Sequence, residues 1–469
     1  MKAVKAIFIA LFLAMVIVPV LCLNTEENAV SEIDNKVLAA NPFSSPDGGD
    51  LTSSIETYLS ERIGFRDEEI LWYTVANDKL FGAMVHPTYA YGKEGYVFFK
   101  PGTNVAYGDY QEAFVHMLSQ IQQYCRERDI AFVFLFEPSK ASVLSEKLMA
   151  GYHYSNEWVS CFVQRLEEES VHYVDNTAVL RECRHQGIEV FNVKYNAGHW
   201  NDTGAFYGMN AALAALSEQG ANVHINQLDE YRVDQRLNTT LLVSEFPINE
   251  YEPIYSLLHA DAIESATKQY DGEVIRNDQY RAFGYCKNTA RMEEGCDRAL
   301  VFQGSYINGM GYKFLQNAFG EYISVHDYQN ILNFQYYVNI FKPQCIIFDA
   351  AEYTFSSTYF DYDGMVDFTL PPPLAIYEEY AVCNIDAVVS AKAGEQLVTV
   401  TVSGLAFECD NGYMVSHGEE YELQKGTDDA GHSIYTLTIK RENYDSDAVF
   451  YMISDHEQIK YRIEPSFVN

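Results

Sequence analysis

Basic residues are scarce in this chain. Its 469 residues include 66 Asp and Glu but only 32 Lys and Arg, a formal net charge of −34. Such a surface repels phosphate backbones and anionic headgroups, which argues against nucleic acid as a partner. A charged coat that keeps an exported protein soluble is its plainest meaning. Metal-site spacings are also missing. No CxxC and no HExxH occurs, so no metal is expected, and nothing in the chain calls for an organic cofactor. Asp361, Asp363 and Asp367 resemble a calcium loop only loosely, without its closing Glu. Repeats and low-complexity blocks are absent. Long apolar runs are limited to one, residues 6–23, which follows Lys2 and Lys5 and is broken only by Pro19. That length is at the lower limit for a spanning helix. It fits a secretory signal or an uncleaved anchor over residues 1–23. Leu21 is too large for lipoprotein processing at Cys22.

Apolar residues are plentiful by contrast: 48% are hydrophobic, with 36 Tyr and 28 Phe, so a sizeable core is available. Of nine Cys, eight remain once Cys22 is set aside, and an even number in an exported chain permits disulfides. Cys286 with Cys296 is the best candidate pair, and Cys383 with Cys409 the second. Cys125 and Cys345 sit in apolar runs and are expected as buried thiols.

Residues 24–50 are polar and read as a linker that carries the body away from the membrane. From 51 to 380 the pattern alternates. Helices are expected at 111–128, 157–169, 204–219 and 311–319, and strands at 131–136, 188–191, 299–302 and 344–348. Short, fully apolar strands between helices indicate a three-layer α/β/α sandwich with a mainly parallel sheet. Ligands in such sheets bind at the carboxyl ends of the strands, so the loops after 136, 191, 302 and 348 are expected on one edge. Residues 381–469 show alternating strands without helices and read as an all-β sandwich domain.

Two segments carry chemistry. Gln303-Gly304-Ser305-Tyr306 ends an apolar strand, so Ser305 projects at the sheet edge as a candidate nucleophile. Gly304 allows a tight turn with amides free to hold an oxyanion, and Asn308 offers a further donor. The competing role for Ser305 is a helix cap. The second segment, with His199 and Trp200, leads into a helix, and His199 is a candidate base or a structural His. Trp200 and Tyr306, with Tyr251, Tyr255 and Tyr359, are candidates for stacking on sugar rings. Asp202 reads as a helix cap, and Glu352 as a site carboxylate or, more simply, an exposed loop charge.

These segments, with Arg62 to Asp67, the Gly92 turn and Pro138-Ser139-Lys140, resemble the SGNH-hydrolase superfamily in its alginate O-acetylation branch. The resemblance spans roughly residues 51–380. It implies export, a polysaccharide substrate, and a membrane partner that supplies acyl groups. It also implies that Ser305 is the nucleophile, that His199 is its base, and that an Asp shortly before the His orients the imidazole. This chain has Asn196 and Ala197 there, and Gly304 where an Asp often precedes the nucleophile. The expected triad is Ser305, His199 and Asn196. The function expected is O-acetyl transfer or ester hydrolysis on a cell-envelope or extracellular glycan. The rival is an inactive SGNH-fold protein that binds glycan or serves as a scaffold.

Overall fold

The computed structural model describes residues 2–27, 29–31, 36–43, 50–100, 105–152, 154–242 and 244–467. The apolar N-terminal run forms helix α1 (Lys2–Leu21), long and apolar enough to cross a membrane by length and composition. Two helices follow, α2 (Leu51–Arg62) and α3 (Arg66–Phe81). The described part of the expected linker does not stand clear of them. Arg62 is buried, and its guanidinium donates to the carbonyls of Asn24, Glu26, Leu38 and Ala39. One cation satisfying four carbonyls ties residues 24–26 and 38–39 to the end of α2.

A seven-stranded sheet forms the centre. Its strands are β1 (Ala131–Glu137), β2 (Tyr173–Asp175), β3 (Ile263–Ser265), β4 (Phe283–Asn288), β5 (Arg298–Gln303), β6 (Glu321–His326) and β7 (Cys345–Ala351), in the order β2-β1-β7-β5-β6-β4-β3. The first five in that order run parallel; β4 and β3 complete the edge antiparallel. Alternate residues of the apolar strands face opposite cores. Phe132, Phe134, Phe302 and Phe348 pack against α4 (Asp109–Arg126), α5 (Glu157–Glu168) and a later helix, Phe334–Phe341. Val133, Leu135, Val301 and Ile347 pack against α6 (Asn176–His185), α7 (Asp202–Glu218) and α8 (Tyr312–Ala318). Helices on both faces make this the expected three-layer α/β/α sandwich with a mainly parallel sheet.

The strand expected at 188–191 is absent. Those residues have no strand partner, and the edge of the sheet is occupied by β2. From Ala381 onward the chain is all β, as expected. Its seven strands close into a barrel rather than stacking as two open sheets, because Ala381–Ala393 pairs in parallel with Ile459–Phe467. Closure removes the exposed edges an open sandwich leaves. All nine cysteines are free, so neither candidate disulfide forms.

The barrel docks on the α/β body through a buried carboxylate. Glu422 accepts from Tyr124 Oη and Arg128 Nε, both at 3.0 Å. Its backbone exchanges hydrogen bonds with the Asn339 side chain. Glu422 is 2% exposed, and Arg128 is the cation hydrogen-bonded to it. Breaking one side of such a pair is costly because an uncompensated charge stays buried. Arg128→Ala is therefore expected to destabilise the protein by about 3 kcal/mol or more. The double variant with Glu422→Gln should recover part of the loss; urea unfolding measures both.

Candidate active site

The site begins with the turn at the end of β5. Gln303 ends the strand, Gly304 turns the chain, and Ser305 opens a helical segment whose first i→i−4 bond runs from Asn308 N to Gly304 O at 3.0 Å. The amides of Ser305, Tyr306 and Ile307 precede that bond and so lack carbonyl partners within the helix. Gly304 differs from expectation. Its amide donates to Asp349 Oδ1 on β7, so it is not free for an oxyanion. A Cβ here would lie 3.1 Å from Asp327 Oδ2 and 3.4 Å from Asp349 Oδ2, so glycine lets the two carboxyl groups approach the turn closely. Burial, then the neighbouring Asp327 and Glu137, pushes the Asp349 carboxyl well above the usual range.

His199 arrives on a loop held from several sides. Glu250 accepts from the amides of Val193, Lys194 and Tyr195. Lys140 Nζ donates to the carbonyls of Val97 and Val193 at 2.9 and 3.0 Å, and burial lowers its pKa to about 7. Asn196 takes the left-handed conformation, φ 55°, which Asn tolerates better than most residues. In this conformation its side-chain oxygen accepts from His199 N at 3.0 Å and meets His199 Nδ1 at 3.1 Å. Because that oxygen only accepts, Nδ1 carries the proton and Nε2 is left as an acceptor. His199 Nε2 lies 2.8 Å from Ser305 Oγ.

The structure thus brings Ser305, His199 and Asn196 into one hydrogen-bonded chain. Burial lowers His199 from 6.5 to about 4, so it is neutral at ordinary pH. One partner escaped the sequence reading: Tyr353 Oη lies 2.7 Å from Ser305 Oγ on the other side. Tyr353 as a whole is 47% exposed, yet burial around its hydroxyl raises its pKa and keeps it neutral. Its only sequence signal is its place in the loop after β7, which was expected at this edge.

Other expectations are corrected. Trp200 is fully buried and its indole N–H donates to Tyr306 O at 3.3 Å. Tyr306 is 1% exposed, its hydroxyl 2.6 and 2.7 Å from the carbonyls of Pro138 and Gly198. Neither offers a face to a sugar; both support the His199 loop from beneath. Tyr255 is buried too, whereas Tyr251 is exposed and Tyr359 partly so. Asn308 is exposed, its side-chain oxygen accepting from Gln303 at 3.3 Å. Asn201, rather than Asp202, caps α7; buried Asp202 pairs with Lys313 Nζ at 2.6 Å. Glu352 is no exposed charge: it is buried and accepts from Ser139 N, Ser142 Oγ and Tyr154 Oη, joining the loops after β1 and β7. Asp361 caps a short helix, and among the described residues no group of acidic, His or Cys side chains fits a metal.

Residues 90–246, which include His199 and stop before Ser305, match the family model for the SGNH hydrolase-like domain, acetyltransferase AlgX. The chain carries an SGNH hydrolase-like domain. No curated protein matches the sequence. Among solved structures, PatB1 of Bacillus cereus with a sulfonyl adduct is 17% identical, at a TM-score of 0.45, covering 60% of this chain and 97% of that one. The O-acetyltransferase domain of Pseudomonas putida AlgJ is 15% identical at 0.37, covering 60% and 99%. Pseudomonas aeruginosa AlgX is 12% identical at 0.34, covering 80% and 89%.

The SGNH-like site gives a direct titration test. The His199 ring is expected to stay neutral down to about pH 4, well below the ordinary imidazole value of 6.5, when followed by ring NMR. Asn196→Asp should raise that value, because a carboxylate beside Nδ1 favours the imidazolium.

Proposed function

We propose that this protein is an exported serine O-acetyltransferase or acetylesterase acting on a cell-envelope or extracellular polysaccharide. The observation that carries the reading is the 2.8 Å contact between Ser305 Oγ and His199 Nε2, with Asn196 fixing the imidazole tautomer. It is the arrangement a nucleophilic hydroxyl needs to lose its proton as it attacks. The AlgX family match supports acetyl as the group transferred. The apolar α1 supports export, as a signal or as an anchor.

In this mechanism His199 takes the Ser305 proton while Oγ bonds to the acetyl carbonyl carbon. The tetrahedral intermediate collapses, and His199 returns the proton to the departing alcohol of the donor. A sugar hydroxyl, or water, then gives its proton to His199, attacks acetyl-Ser305 and takes the acetyl group, and His199 returns that proton to the departing Ser305 Oγ. The free amide of Ser305 and the Tyr353 hydroxyl supply oxyanion donors, in place of the Gly304 amide already bonded to Asp349.

Asn196 sets the rate this site reaches. It holds the ring but brings no negative charge to the imidazolium. In serine proteases, exchange of the corresponding Asp for Asn lowers turnover about 10⁴-fold. This neutral partner is what favours the rival reading, a glycan-binding protein that has lost catalysis.

A fluorophosphonate probe separates the two: one adduct on Ser305, absent in Ser305→Ala, is expected of the enzyme. No adduct, with glycan binding unchanged in Ser305→Ala, would establish the rival. Hydrolysis of an aryl acetate is expected to fall as pH drops through about 4, where His199 becomes protonated. Asn196→Asp should raise turnover about tenfold or more and move that limb to higher pH. Tyr353→Phe should lower turnover about 10²-fold without unfolding the protein.

A further inference from the structure

The largest exposed apolar feature beyond α1 lies on α3. Phe65, Trp72, Tyr73 and Leu80 are 49%, 74%, 60% and 73% exposed. Within the helix, Trp72, Tyr73 and Leu80 fall inside an arc of about 100°, with exposed Ala76 and, in the first turn, exposed Glu69 between them, while Phe65 stands just before the first turn. The opposite face is spoken for: Thr74 is buried, and Leu71 and Val75 pack against the cluster of Tyr89 and Val97. Phe65 itself caps α3 with φ 61°, a conformation unusual for a bulky residue.

This face starts where α1 ends. Gly64 N donates to Pro19 O at 3.0 Å, and Asn24 N donates to Arg62 O at 2.8 Å. Gly64 packs so closely on Cys22 that a Cβ there would lie 2.5 Å from the Cys22 Cβ. Phe65 is the next residue, so no slack separates the end of the apolar helix from the stripe.

We infer that α3 is a membrane-interface helix, its Phe65–Trp72–Tyr73–Leu80 face resting in the outer leaflet of the bilayer that α1 spans. The inference rests on the reading of α1 as a retained anchor. Trp and Tyr suit the headgroup level, where an apolar ring and a polar tip are both satisfied. Asp67, Glu68 and Glu69 in the first turn, with the net charge of −34, select zwitterionic lipid over anionic lipid. The SGNH-like body is then held at the membrane surface, where a membrane-borne acyl donor is within reach.

Trp72 provides the test, since the other two tryptophans, Trp158 and Trp200, are 4% and 0% exposed. The full chain is reconstituted in phosphatidylcholine vesicles whose acyl chains carry bromine near the headgroup. Bromolipid is expected to quench part of the emission, and that part should vanish in Trp72→Phe. Quenching of Trp72 by aqueous iodide but not by bromolipid would place the face in water and overturn the inference. Shielding from both, with cross-linking between chains, would assign the face to a second copy instead. The mass of the exported chain tests the anchor separately: a chain cleaved after residue 23 that stays in solution removes both the anchor and this inference. An intact chain with iodide-quenched Trp72 removes only the inference.

Discussion

The bond from the Gly304 amide to Asp349 sets the geometry on which the site depends. It clamps the end of the central strand to its neighbour, so Ser305 leaves the sheet in one direction. With Asp327 and Asp349 both crowding the Gly304 α-carbon, a side chain there would push those carboxyl groups aside by a few tenths of an ångström. The same bond uses up the donor that a strand-end glycine would otherwise offer an oxyanion. Ser305 is therefore positioned by a buried carboxyl group, and in the proposed mechanism the stabilisation of developing charge falls to Ser305 N and Tyr353.

Around that clamp, the electrostatics are those of neutral dipoles. His199 is depressed by burial, Tyr353 is kept protonated, and Asn196 orients without charge. A site built in this way keeps its base unprotonated far into acid, but it pays in basicity for doing so. Its capacity for chemistry comes from orientation, with two hydrogen bonds on Ser305 Oγ and two on the Asn196 side-chain oxygen.

Much of this was legible in the chain itself. The apolar runs at 131–136, 299–302 and 344–348 appear as parallel strands, since only a two-sided core accepts residues apolar on both faces. The absence of an acid before His199 was equally plain, and Asn196 stands where it was expected. The 188–191 run was misread because periodicity registers an apolar extended segment without registering whether a partner strand is available. Trp200 and Tyr306 were misread because an aromatic beside a site residue looks the same in sequence whether it faces a ligand or the core.

Sequence alone determined the layered α/β class, the single apolar N-terminal helix, the acidic surface, and the Ser and His segments with their missing carboxylate. Each is a local property, written in periodicity, composition or residue type. Tertiary structure alone decided that Ser305 and His199, 106 residues apart, meet at 2.8 Å, and that Tyr353 joins them. It alone closed the C-terminal strands into a barrel and set the α3 stripe at the end of α1. Those outcomes depend on which distant backbone groups find each other, and no window along the chain contains both partners.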